Sequence, residues 1–304
     1  MKSNLFVAIS PQNFSHELLA EVSRHSSLRI KLQIEGFFLI DGPFIPLLWA
    51  EWLWPQVEVL NFSSISEASR ALLDRKKIFS YYPLKNHRRA SLISDKIKTP
   101  KTKTLAPFQT VNFQNIAAWT LISENELLVC PETNSPFPLG KWQFQEDKSA
   151  PSRAYLKLWE MLTRFPLDLP ANSVVVDLGA CPGGWTWALR QKNWRVLSVD
   201  KAPLADGLMK DPAVEWISKD AFTLKAKDFP EVKAVFSDII CYPQRLLELI
   251  ENWSSPNIEF MGLTIKFKGE TDWSTLEKLR TIPGSTIVHL TANKHELTWV
   301  WRKT

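Results

Sequence analysis

The run Val174-Val175-Val176-Asp177-Leu178-Gly179-Ala180-Cys181-Pro182-Gly183-Gly184-Trp185 decides how the rest of the chain is read. Its three valines predict a buried strand at Val174–Val176, followed by a glycine-rich turn and a helix from about Gly184 to Lys192. In open α/β sheets, ligands bind beyond the carboxyl ends of the strands, where glycines let the backbone come close. The run is not the Gly-x-Gly-x-x-Gly dinucleotide signature. Pro182 occupies the loop, lacks an amide hydrogen, and suits a rigid turn better than a pyrophosphate cradle.

Downstream, strands and helices alternate. Arg195–Val199 reads as a second strand ending in Asp200, and Val214–Ile217 and Ala234–Phe236 as strands ending near Asp220 and Asp238. Pro243–Trp253 is predicted as a helix, Phe260–Ile265 as a strand and Trp273–Arg280 as a helix. Ile287–Leu290 and Leu297–Trp301 close the chain as adjacent strands joined around Asn293–His295. This predicts an α/β, Rossmann-like, mostly parallel sheet with an antiparallel C-terminal hairpin at its edge. The layout resembles that of the class I methyltransferases.

Acids end three consecutive strands. Asp200 lies about 20 residues beyond the loop, where a carboxylate accepts ribose hydroxyls, and Asp220 is placed for an adenine amino group. Gly179, Pro182, Gly183, Gly184 and Trp185 form the cofactor loop, with the Trp185 indole along the cofactor. Cys181 belongs to the same loop, and as a small apolar residue it is expected to pack there. The expected cofactor is S-adenosylmethionine, which needs such contacts and carries no phosphate.

The N-terminal half reads as a smaller α+β domain. Leu5–Ile9, Gly36–Ile40 and Val57–Leu60 are predicted strands, Ser15–Ser23 and Ser64–Leu73 helices, and Ala117–Ile122 with Glu126–Val129 a hairpin. The chain's 304 residues fit about two domains at roughly 150 residues each. The boundary is placed between 146 and 147, within a Pro/Gly-rich connector, Pro131–Pro151. Of the 14 tryptophans, Trp49, Trp52 and Trp54 suggest a buried cluster or a nucleic-acid stacking face, with burial favoured. Trp187, Trp299 and Trp301 are expected to pack.

The net charge of +5 is concentrated. Residues 75–103 carry ten Lys and Arg against Asp95 alone, interleaved with Phe79, Tyr81, Tyr82 and His87, and the remainder of the chain is net acidic. Such a block predicts a phosphate-backbone footprint, with a solvated linker as the plainer reading. Cys130, Cys181 and Cys241 are too few and too far apart for a disulfide framework or zinc ribbon, so no metal site is expected. Met1–Ser10 lacks a signal-peptide cleavage pattern, and the apolar stretch Phe37–Pro55 is interrupted by Asp41, Pro43 and Glu51. A soluble, cytoplasmic protein is expected, without a membrane or an obligate protein partner.

The segment Asp177-Leu178-Gly179-Ala180-Cys181-Pro182-Gly183-Gly184-Trp185 resembles the cofactor motif of the FtsJ-type ribose 2′-O-methyltransferases. Asn134-Ser135-Pro136, Gly140 and Ala150-Pro151-Ser152-Arg153-Ala154-Tyr155-Leu156-Lys157-Leu158 look like one branch, the RlmM family of bacterial 23S rRNA cytidine 2′-O-methyltransferases. The resemblance covers roughly residues 131–304. It implies an N-terminal THUMP-containing RNA-binding domain and, as partner, 23S rRNA or a pre-ribosomal particle. It also implies a Lys-Asp-Lys-Glu tetrad, here Lys157, Asp238, Lys266 and Glu296. A ribose hydroxyl needs a base to take its proton, and a lysine serves only beside another cation or when desolvated. By resemblance Lys266 is that base and Lys157 the neighbouring cation orienting the ribose. Asp238 and Glu296 hold the ammonium groups, with Asp238 also near the cofactor's methionine portion. Lys268 is the alternative equivalent of Lys266.

Three features depart from the branch. Ala154 replaces a serine, Phe267-Lys268-Gly269 replaces Leu-Pro-Met, and the chain is shorter. Two other functions stay open. Cys241, three residues after Asp238, would be the nucleophile of an RNA cytosine-5 methyltransferase, although Ile240 stands where those enzymes carry proline. The second alternative is a non-catalytic RNA-binding protein.

Overall fold

The computed structural model describes residues 4–101, 104–109 and 114–303. The chain divides into two compact units, Met1–Leu105 with Val111–Gln143, and Ala106–Thr110 with Phe144–Thr304.

In the first unit, chain order is β1 (Leu5–Ile9), α1 (Ser15–Ser23), β2 (Arg29–Ile34), β3 (Phe37–Asp41), β4 (Trp52–Trp54) and β5 (Glu58–Asn61). Then come α2 (Ile65–Leu73), β6 (Phe79–Tyr81), α3 (His87–Ser94), β7 (Ala117–Leu121) and β8 (Glu126–Cys130). They build two four-stranded sheets, β2-β3-β1-β4 and β5-β8-β7-β6. Strand alternation divides the second sheet's side chains between two cores. Ala118 and Leu128 join Val7, Phe37, Trp52 and Trp54 in one cluster. Trp119 and Val129 join Ala68 and Leu72 of α2 and Ala90 and Ile93 of α3 in the other. The start of α2 is fixed by a capping box: Ser64 Oγ accepts the Glu67 N–H, and Glu67 Oε2 accepts the Ser63 N–H at 2.8 Å.

Trp49, Trp52 and Trp54 are fully buried, so the favoured reading holds and they offer no stacking face. One of the two readings of the basic block is set aside. Between 75 and 101 the basic block is not a solvated linker, because β6 and α3 lie in it (Lys103 falls outside the described residues). Its aromatics are largely structural: Phe79 is buried, Tyr81 packs 4.8 Å from Trp119, and Tyr82 stacks 5.5 Å from Phe37. The stretch Pro131–Pro151 contains the Gln143–Phe144 division between the units and is anchored by its own contacts. Asn134 Oδ1 accepts the Leu53 N–H at 2.8 Å, and Phe137 packs 4.8 Å from Trp142.

In the second unit, chain order is α4 (Tyr155–Arg164), β9 (Val174–Leu178), α5 (Gly184–Arg190), β10 (Arg195–Val199), α6 (Asp206–Met209) and β11 (Val214–Ile217). It continues with β12 (Val232–Ser237), α7 (Pro243–Trp253), β13 (Phe260–Lys266), α8 (Trp273–Arg280), β14 (Ser285–Val288) and β15 (Glu296–Arg302). The single sheet runs β11-β10-β9-β12-β13-β15-β14. The first five strands of that order are parallel. β15 is antiparallel and sits between β13 and β14, so the closing hairpin leaves β14 as the outer strand. This is the α/β Rossmann-like methyltransferase fold. From β9 the chain moves outward to β10 and β11, then returns to β12 on the other side. That reversal opens a crevice at the carboxyl ends of the strands, where such sheets bind ligands.

Candidate active site

The crevice is lined by the residues that follow β9, β10 and β12. Gly179, Ala180, Cys181, Pro182, Gly184, Trp185, Asp200, Asp238 and Lys266 border a cleft of about 440 Å³. Gly179, Asp200, Ile239 and Ile240 continue into a second hollow of about 280 Å³, which also takes in Asp220, Phe222 and Arg245. Gly179 has φ +78°, and a Cβ there would meet Ile239 Cβ at 2.9 Å. Gly183 has φ +108° and would drive a Cβ into Leu208. Only glycine lets the chain pass at these points.

The loop is held from below. Asp200 Oδ2 accepts the Cys181 N–H at 3.0 Å, and Oδ1 accepts the Ala202 N–H. Trp185 is buried and its Nε1–H donates to the Ala154 carbonyl at 2.9 Å, which ties α5 to the segment before α4. Cys181 is exposed on the cleft wall, which corrects the expectation that it packs inside the loop. Asp220 Oδ2 pairs with Lys201 at 2.9 Å and Oδ1 accepts the Phe222 N–H. These bonds, Lys201 foremost, hold its carboxyl below the usual range.

Beside the cleft, four charged side chains meet. Lys157 comes from the first turns of α4, Asp238 follows the last residue of β12, Lys266 ends β13 and Glu296 begins β15. Lys266 and Glu296 are opposite one another in the antiparallel register, so their side chains share a face. Lys157 Nζ lies 2.7 Å from both Asp238 oxygens and 3.0 Å from Glu296 Oε1. Lys266 Nζ lies 3.0 Å from Asp238 Oδ1 and 3.9 Å from Glu296 Oε2. The Lys157 side chain is 8% exposed and that of Lys266 21%. Lys157 is thus the fixed cation, gripped on several sides, and Lys266 is the one with room to meet a substrate. Lys268 stands apart from the four, exposed, with its ammonium 4.9 Å from the Tyr242 ring centroid.

Several residues of the site carried no assignment from sequence. Ser152 lines the cleft just before α4, beside Ala154, where the resemblance places a cofactor-contacting serine. Asp177, at the carboxyl half of β9, is buried and accepts the Thr186 hydroxyl at 2.7 Å. Burial pushes its carboxyl up to about 7. Glu160, three residues after Lys157, is buried on α4 and accepts the Thr291 N–H at 2.8 Å, while Arg164 donates to the His289 carbonyl. Burial pushes Glu160 up to about 7 and holds His289 down at about 4. These bonds fasten the helix of Lys157 to the loop that leads into Glu296. The i, i+3 spacing of Lys157 and Glu160 was visible as one helix face. Its partner, 131 residues away, was not.

Residues 150–260 match the family described as FtsJ-like methyltransferase. Lys157, Asp238 and the cofactor loop lie inside the matched span, and Lys266 and Glu296 follow it on β13 and β15 of the same sheet. Curated relatives named ribosomal RNA large subunit methyltransferase M also match. The protein from Halorhodospira halophila is 35% identical over 156 residues, which is 48% of this chain and 44% of that one. The one from Citrobacter koseri is 37% identical over 129 residues, 40% of this chain and 35% of that one. The matched stretch therefore spans less than half the length of these relatives. Among solved structures, Burkholderia thailandensis 1,6-didemethyltoxoflavin-N1-methyltransferase with bound S-adenosylhomocysteine aligns at 16% identity and a TM-score of 0.36. It covers 50% of this chain and 77% of that one, a likeness too weak to argue from. The similarity to known proteins thus lies in the second unit.

Proposed function

We propose that the chain is an S-adenosylmethionine-dependent ribose 2′-O-methyltransferase acting on ribosomal RNA, with a cytidine of the 23S molecule as target. The observation that carries this reading is the pair of lysines bridged by two carboxylates at the edge of the cleft. The cleft suits the cofactor. Its glycine loop allows close approach, Asp200 stands where ribose hydroxyls need an acceptor, and Asp220 and Phe222 border the hollow suited to adenine. When bound, S-adenosylmethionine supplies an electrophilic methyl group on a sulfonium.

The chain's own residues supply the rest. Lys266, in its neutral form, accepts the proton of the ribose 2′-hydroxyl as the oxygen takes the methyl group. Lys157 and the two carboxylates hold Lys266 in place, so that hydroxyl and methyl meet in line. Asp238, shared between both lysines, also faces the cleft where the methionine portion would lie. The names of the relatives favour rRNA as the substrate. In the N-terminal unit, which we read as the THUMP-containing RNA-gripping domain, Lys76, Lys77, Lys85, Arg88, Lys96, Lys98 and Lys101 are exposed and available to phosphates. Among the described residues no helix is long and apolar enough to cross a membrane, and an rRNA substrate puts the enzyme in the cytoplasm.

The cysteine reading is disfavoured. Burial pushes the Cys241 thiol up to about 11, so almost none of it is thiolate near neutral pH, and a thiol is a poor nucleophile. Mapping 2′-O-methyl groups in rRNA from cells with and without the gene tests the proposal, with complementation by wild type and by Lys266→Ala. One ribose methylation should vanish in the deletion strain and return only with wild type. If every site persists in the deletion strain, the assignment fails.

A further inference from the structure

Large apolar side chains stand in the open at the mouth of the cleft. Ile240 is 75% exposed and Tyr242 is 57% exposed, while Cys241 between them is half-buried. This alternation turns Ile240 and Tyr242 outward along an extended segment that begins directly after Asp238. Ile240 already borders both parts of the cleft. Tyr242 is held at the entrance to α7 by Pro243 in the first helical position, which confines the residue before it to extended backbone. From the neighbouring strand, two residues past Lys266, Lys268 reaches across to place its ammonium 4.9 Å from the Tyr242 ring centroid. An exposed aromatic ring beside a cation, both within a few residues of the groups that hold the reacting hydroxyl, calls for a planar anionic ligand.

We infer that Tyr242 is the stacking platform for the base of the nucleotide whose ribose faces Lys266, and that Lys268 contacts that nucleotide's phosphate. The inference rests on the ribose methyltransferase reading above. On a nucleotide, the carbon bearing the base adjoins the carbon bearing the 2′-hydroxyl, so a base held on the ring at the cleft mouth fixes where the hydroxyl points. Every base has a π-face, so the ring contributes position rather than base identity. The Lys268 ammonium contributes a charge that salt screens.

The test measures transfer of radiolabelled methyl groups from S-adenosylmethionine to rRNA purified from cells lacking the gene, using the full chain. Tyr242→Ala should raise KM for the RNA about ten- to a hundredfold, as expected for the loss of one stacked base. Tyr242→Phe should stay within about twofold of wild type, because the ring and not the hydroxyl is used. Lys268→Gln should lower the salt dependence of RNA binding by about one unit of slope. The Kd for S-adenosylmethionine, measured by calorimetry, should be unchanged in all three, showing that the variants are folded and the cofactor site intact. Unaltered methylation by Tyr242→Ala would overturn the inference. So would equal damage from the Phe and Ala variants, or a weakened cofactor. If wild type itself transfers no label to any rRNA, the ribose methyltransferase reading fails, and the platform with it.

Discussion

The two units differ in where their lysines do their work. In the first, the interior is tryptophan, phenylalanine and aliphatic side chains with two acids, Glu17 and Glu21, but no lysine or arginine among the described residues, and most of the basic block stands on the surface. Of the described basic residues in that block, Arg75 pairs with Glu58 at 2.7 Å and Arg89 sits over the Phe62 ring; seven others face solvent. In the second unit, Lys157, Asp177 and Glu160 are all taken out of water, and each is matched by a hydrogen bond or an opposite charge. Surface charge meets a partner that arrives from outside, and the energy it contributes depends on salt. Buried charge has already lost its water, so its geometry is fixed before any substrate comes. The first arrangement suits gripping a polyanion, and the second suits moving a proton.

The sharpest way to break this comparison is to remove a lysine of the four-residue cluster. Lys266→Ala should lower kcat for methyl transfer by about a hundredfold to ten-thousandfold, the range for loss of a general base, read from single-turnover rates. Lys157→Ala takes the nearer ammonium from Asp238 and Glu296 and leaves them only Lys266. It should destabilise the fold by about 3–5 kcal/mol in urea unfolding, besides abolishing activity. Removing surface charge should behave differently. Replacing Lys76, Lys77, Arg88 and Lys96 together by Gln should weaken RNA binding and remove up to about three units of its salt slope. Unfolding stability should move by less than about 0.5 kcal/mol per site, and an unchanged salt slope would show the block is not a phosphate contact.

A smaller effect concerns Asp177. Its carboxyl has an ordinary value of 3.8 and is pushed up to about 7 by burial, so the folded chain binds its proton more tightly than the unfolded chain. That stabilising contribution is complete below about 4 and is lost as pH rises to about 7. Asp177→Asn should remove this part of the dependence, measured as the difference in urea midpoint from wild type at pH 5 and pH 7.5. The smallest effect expected is that of Cys241→Ser, which should leave methyl transfer within about twofold of wild type.

Much of this was legible in the sequence because the signals were local. Alternating apolar runs and helical segments placed β9, β10, β11 and β13 close to where they lie, and the Ser64–Glu67 box marked the start of α2. What escaped was structure whose local signal is masked. β2, Arg-Ile-Lys-Leu-Gln-Ile, has no fully buried residue, and β4 is three residues long and reads as a tryptophan cluster. α3 starts from Asn86 in a left-handed conformation with no side-chain cap, and charge dominates its sequence. At the site, the four residues could be named from a family resemblance. That Glu296 faces Lys266 depends on β15 inserting between β13 and β14, a matter of register between distant segments that no local pattern encodes.

That insertion also sets which changes of length the molecule can accept. β15 is paired along both sides, to β13 over seven positions and to β14 over four, so its alignment is fixed by strand partners rather than by the loops that feed it. Residues can be gained or lost in the connection between α8 and β14 without disturbing the alignment of Glu296 with Lys266. Deleting a single residue within 297–300 is another matter. Every residue between the deletion and the head of the strand would change face, so Glu296 would turn away from Lys266.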